Sequence, residues 1–149
     1  MVDVPPTEGI QIRLRQARSL PDTLVVSFDA FEVIRILARQ FQDQVPQLFA
    51  AFMTTADTAV DGREAITIAP SLPPPSEGTS GLIGPVAGVE LDEVVAALAA
   101  LGALLTDRLT RAAAAAAIPG DRVACEEAAA AAQRISQLMA RGDDASCLR

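Results

Sequence analysis

The sequence predicts an α+β protein that is mainly helical. A small N-terminal sheet accompanies a kinked helix, a Pro/Gly-rich linker follows, and an antiparallel α-hairpin closes the chain. Three observations lead there. Near the N-terminus apolar and polar residues alternate, the period of a half-buried strand. From Phe31 onward apolar residues recur at three-four spacing, the period of a helix. Of the 29 alanines, 18 lie between residues 96 and 140, where helix propensity is correspondingly high. The chain has 149 residues, 41 of them Leu, Ile, Val or Phe, enough for one globular domain with a core.

Residues 1–9 (MVDVPPTEG) read as a loose tail, and residues 10–69 as a ββαβ-like unit. Ile10, Ile12 and Leu14 alternate with Gln11, Arg13 and Arg15 in the first strand. Ser19-Leu20-Pro21-Asp22 is a turn signal, and the β-branched run Thr23 to Phe28 makes the second strand of a hairpin. Ser27 or Asp29 caps the next helix. Its stripe is Phe31, Ile34, Ala38, Phe41, Val45, Leu48 and Phe52. Pro46 interrupts it, dividing helices at about 29–44 and 46–60; the unbroken stripe favours a kink. Asp61-Gly62 ends the helix, and Ala65 to Ala69 supplies a third strand.

Residues 70–89 hold five Pro and four Gly and read as a linker. Residues 90–141 form the α-hairpin. One helix spans Glu90 to Ala117; Pro119-Gly120 breaks it, Asp121 caps the second helix at about 122–141, and Gly142 ends it. Residues 142–149 are a polar tail.

Composition narrows the chemistry. The chain lacks His, Lys, Asn, Trp and Tyr, and all 12 basic residues are Arg. That closes His-dependent triads, imidazole metal ligands and Schiff-base lysines, and with only five Phe it leaves little for aromatic stacking. No catalytic residue, metal ligand or cofactor is expected. A net charge of −7 without a basic face argues against nucleic acid. The longest apolar run, Val94 to Leu105, has 12 residues, too few for a membrane span. Cys125 reads as a small core residue, and Cys147 lies in the tail; two isolated cysteines and an acidic, Pro-containing start point to the cytoplasm.

The alanine-rich hairpin carries the functional expectation. Alanine buries little area, and at ~25 cal/mol per Å2 of apolar surface such a hairpin is weakly self-sufficient. It needs the Phe-rich helix, a second copy or another protein against it. Leu91, Val94, Leu98, Leu101, Leu105 and Leu109 form the apolar seam and the candidate partner-binding face. The function that follows is a non-enzymatic helical interaction protein: an adaptor, accessory subunit or self-assembling scaffold component. The plainer reading has this seam meeting the Phe stripe inside one molecule.

A second reading is an anion-binding or regulatory domain. The basic run is Arg13, Arg15 and Arg18, of which Arg13 and Arg15 share a strand face. Arg35 and Arg39 are one helical turn apart, with Asp29 and Glu32 nearby. The candidate anion site is therefore Arg13, Arg15, Arg35 and Arg39. A third reading, a helical coat on a lipid or granule surface, lacks the basic polar face such helices carry.

Overall fold

The computed structural model describes residues 6–74 and 89–147, with side chains as far as residue 141. Among these residues five α-helices follow one another: α1 (Glu8–Gln16), α2 (Leu20–Phe41), α3 (Phe49–Thr67), α4 (Leu91–Ala115) and α5 (Pro119–Cys147). A single 3-10 turn, Pro46–Leu48, stands between α2 and α3. Among the described residues there is no strand, so the expected three-stranded sheet and its α+β class are corrected to an all-helical fold.

Each misread strand has a physical cause. Ile10 and Leu14 fit period two, but they are also four apart, and both are fully buried on one face of α1. Only Ile12 is left outside, 42 % exposed. Thr23 to Phe28 is the second and third turn of α2, where burial of Leu24 and Val26 overrides β-propensity. The supposed turn before it is a helix start: the Ser19 Oγ accepts from the Asp22 amide at 3.2 Å, with Pro21 in the first turn. Ser27 and Asp29 consequently lie inside α2 rather than capping a helix. Ala65 to Thr67 are the last turn of α3, with Ile66 buried and Ile68 exposed just beyond.

Pro46 breaks the long helix instead of kinking it. The preceding Val45 is extended (φ −134°, ψ 116°), as a residue before proline prefers. The chain reverses, so α3 runs back along α2. Phe31 of α2 meets Gly62 of α3, and Arg39 of α2 pairs with Asp57 of α3. The single stripe thus folds onto itself. Gly62 does not end a helix: it is buried in mid-α3, because a Cβ there would overlap the Phe31 ring.

The two long helices expected after residue 90 are present as α4 and α5, joined through residues 116–118. Their backbones come close at Gly102, where a Cβ would lie 2.9 Å from the Ser136 amide nitrogen and 3.1 Å from the Ala132 carbonyl oxygen. The hairpin does not stand apart. α5 packs against α3 as well as α4, and α4 packs against α2 and α1. One continuous core results, joining Ile10, Phe31, Phe52 and Ile66 to Leu98, Leu105, Ile135 and Met139.

The expected tail at 1–9 overlaps α1, while residues 1–5 lie outside the described residues, as do 75–88 of the expected linker. The described start of that segment is tied to α5. The fully buried Asp121 accepts from the Ser71 amide through Oδ1 (2.9 Å) and from the Ser71 hydroxyl through Oδ2 (2.6 Å). Asp121 lies in the first turn of α5, where the helix dipole favours its charge. At the other end α5 passes the expected stop at Gly142 and runs to Cys147.

Two stability predictions follow from these contacts. Gly102→Ala forces α4 away from an α5 backbone that cannot yield locally, and costs about 1–3 kcal/mol despite alanine's better propensity; urea unfolding followed by circular dichroism measures it. Asp121→Ala strips both acceptors from Ser71 and costs about 1.5–3 kcal/mol by the same measurement. An unchanged midpoint would show that the Ser71 tether contributes nothing.

Candidate functional site

The expected partner-binding seam lies inside the molecule. Val94, Leu98, Leu101, Leu105 and Leu109 are fully buried, and Leu91 packs at the core's edge. Their apolar surface is already taken by α1, α2 and α5. The hairpin's need for a packing partner is met within the chain, so this seam is not an exposed face.

The expected anion site is likewise committed. Arg13 of α1 pairs with Asp29 of α2 at 3.3 Å. Arg35 holds Glu32 through two bonds of 3.1 and 3.2 Å, and Arg63 of α3 bonds the same carboxylate. Arg39 pairs with Asp57 of α3 at 2.7 Å. Arg15 donates to Gln11 on the exposed side of α1 and has no carboxylate partner among the described residues. Structure does not bring these four together into one site; Arg13 and Arg39 link neighbouring helices through carboxylates, and Arg35 pairs within α2. Burial pushes the Glu32 carboxyl up, but the bonds and charges of Arg35 and Arg63 outweigh it and hold it below the ordinary value of 4.5. For Asp29 burial wins over Arg13, and its carboxyl lies above the ordinary value of 3.8.

Two surface concavities involve other residues. The larger, about 570 Å3, runs between α4 and α5 on the side away from the core. Thr106, Thr110 and Ala114 form its α4 wall; Glu126, Ala130 and Gln133 its α5 wall, all at helical spacing. Short side chains on both helices leave the groove open. Arg122 lies at one end and donates to the Ala116 carbonyl at 3.3 Å.

The second concavity, about 230 Å3, lies where the α1–α2 junction meets the C-terminal half of α4. Its wall brings Arg18, Arg108 and Arg111 together with Ser19, Leu20 and Thr23 at the start of α2. No carboxylate lines it. Arg111 pairs with the exposed Asp107 at 3.1 Å. Arg18 and Arg108 have no carboxylate partner among the described residues, and the buried Nε of Arg108 has no acceptor there.

Arg18 appears in the N-terminal basic run, but Arg108 and Arg111 read from sequence only as charges suited to a helix C-terminal half. One local signal sets Arg108 apart: its helical neighbours at three and four residues are Leu104, Leu105, Arg111 and Ala112, none an acid. That Arg18 and Arg108 meet across 90 residues is a tertiary fact.

Cys125 is buried, and burial, with Asp121 and Glu126 adding to it, pushes its thiol up to about 11. It is an inert core residue. Among the described residues no cluster of acids and cysteines has the arrangement of a metal site, and no helix is long and apolar enough to cross a membrane.

The Glu32 cluster sets the sign of an acid response. A carboxyl lowered in the fold contributes stability above about 4.5 that is lost as pH falls through its lower folded value; Asp29, being raised, acts in the opposite sense. Urea midpoints of the native chain should fall between about pH 5 and pH 3. Glu32→Gln should lower the midpoint near neutrality and flatten that fall. Parallel curves for the two proteins would remove Glu32 from the account.

The chain matches no protein-family model, no curated protein and no solved structure, so its function rests on the chemistry of its own residues.

Proposed function

We propose that this chain is a non-enzymatic helical interaction protein of the cytoplasm. Its contact face is the open groove between α4 and α5, and the partner it receives is an α-helix, from a second copy in the first instance. The observation that carries this reading is the groove itself. It is the larger concavity, about 570 Å3, and its walls are mostly Ala and Thr. Helices meet at axis separations of ~8–10 Å, the closest where side chains are small. The inner faces of α4 and α5 already use that rule at Gly102, and the outer faces repeat the same composition without a covering helix among the described residues.

Charge favours a second copy of this chain. Arg122 and Glu126 both line the groove, one turn apart on α5. A two-fold interface places each face against itself, so Arg122 of one copy can meet Glu126 of the other. The cytoplasmic assignment draws support from Cys125, a free thiol in the core.

Light scattering over a concentration series tests the reading. The native chain should show a two-chain mass at micromolar concentration. Ala130→Trp, at an exposed groove position, should reduce it to a one-chain mass while helical circular dichroism stays unchanged. A one-chain mass for the native protein at every concentration overturns self-association through this face.

A further inference from the structure

We infer that the cleft between the α1–α2 junction and α4 is a binding site for a dianionic oxyanion, of the class of a phosphate monoester. This goes beyond the interaction face, with which the cleft shares the helix α4 but no lining residue.

The protein carries −7 overall, and Arg13, Arg35, Arg39, Arg63 and Arg111 each pair with a carboxylate. Arg15, Arg18, Arg108, Arg122 and Arg134 have no carboxylate partner among the described residues; of these, Arg18 and Arg108 line this one cleft with no acid in its wall, and Arg108 alone among them is not exposed. Two uncompensated guanidinium groups call for two negative charges. A phosphate monoester supplies close to two at neutral pH; a carboxylate supplies one. Arg111 adds a third guanidinium whose hold on Asp107 is a solvent-exposed pair, worth little and readily shared.

Hydrogen bonding points the same way. The Nε of Arg108 is buried without an acceptor, so this guanidinium has lost water on one side with nothing in return. An anion against its other nitrogens restores the missing counter-charge. Planar guanidinium groups bind phosphate oxygens in pairs, which favours a tetrahedral anion shared between two or three of them. The start of α2 adds the positive end of a 22-residue helix. The Ser19 hydroxyl accepts from the Asp22 amide and keeps its proton free to donate. A cleft of about 230 Å3 has room for a phosphate group.

Thermal unfolding of the full chain at neutral pH, with inorganic phosphate, acetate or chloride at equal ionic strength, tests the inference. Phosphate at low millimolar concentration should raise the midpoint by about 2–4 °C over chloride, and acetate should not. Arg18→Gln and Arg108→Gln should each abolish the phosphate shift, whereas Arg134→Gln, on the exposed side of α5, should retain it. Circular dichroism establishes that each variant is folded; Arg18 is exposed beyond the end of α1, so its variant serves even if Arg108→Gln fails to fold. Equal shifts with phosphate and acetate overturn the dianion assignment. No phosphate shift in the native chain, or a shift that survives Arg18→Gln, overturns the site. None of these results depends on the mass measured for the α4–α5 face.

Discussion

At Gly102 the α4 backbone lies against the α5 backbone, and the rest of the fold is arranged around that approach. An alanine side chain contributes one methyl group, so a helix made largely of alanine is held only by neighbours that come close. α5 is such a helix. Its inner positions are Ala124, Cys125, Ala128, Ala132, Ile135 and Met139, all fully buried. Glycine on α4 permits the close axis on one side. On the other side α3 brings larger groups, Phe52 and Ile66, into the same core. Small residues on α5 thus set the spacing, and large residues on α2, α3 and α4 fill what that spacing leaves.

The polar contacts hold the helices in register rather than forming a reactive centre. Arg13–Asp29 ties α1 to α2, and Glu32 and Arg39 tie α2 to α3. Asp121 ties the start of α5 to Ser71, just after α3. The Asp121 link is buried and accepts two hydrogen bonds, whereas Arg39–Asp57 is largely exposed and screened by solvent. These pairs engage Arg13, Arg35, Arg39 and Arg63, whereas Arg18 and Arg108, with no carboxylate partner among the described residues, share the one cleft where α4 passes the start of α2.

Much of the second half of the chain was legible from sequence. The a/d spacing of Leu91 to Leu109 and the high alanine content read as two helices, and two helices are there, but the break falls at residues 116–118: Pro119 and Gly120 open α5, and Asp121 sits in its first turn instead of capping it. The first half was misread because short segments satisfy two periods at once. Ile10 and Leu14 are compatible with both a strand and a helix, and Thr23 to Phe28 has the composition of a strand. Ser19-Leu20-Pro21-Asp22 serves equally as a turn or as a helix start; the hydroxyl bonded to the Asp22 amide decides for the helix. Likewise Asp61-Gly62 has the form of a helix end, and only the Phe31 ring explains a glycine in mid-helix.

By itself the sequence determined the residue inventory, and with it the closed routes through histidine, lysine and tyrosine. It also determined the alanine-rich character of α4 and α5 and their need for close neighbours. Tertiary structure alone decided what those neighbours are. The Leu seam faces inward because α2 and α3 fold back at Pro46 and offer apolar surface within the same chain. Which arginines are neutralised was also decided there, since Arg39–Asp57 and Glu32–Arg63 are contacts between helices. A charge pair depends on distance in space, and residue spacing along one helix reports only the pairs within a turn of each other. For that reason the convergence of Arg18, Arg108 and Arg111 on one cleft is set by the fold, and local spacing shows only that Arg108 has no acid within a turn of it.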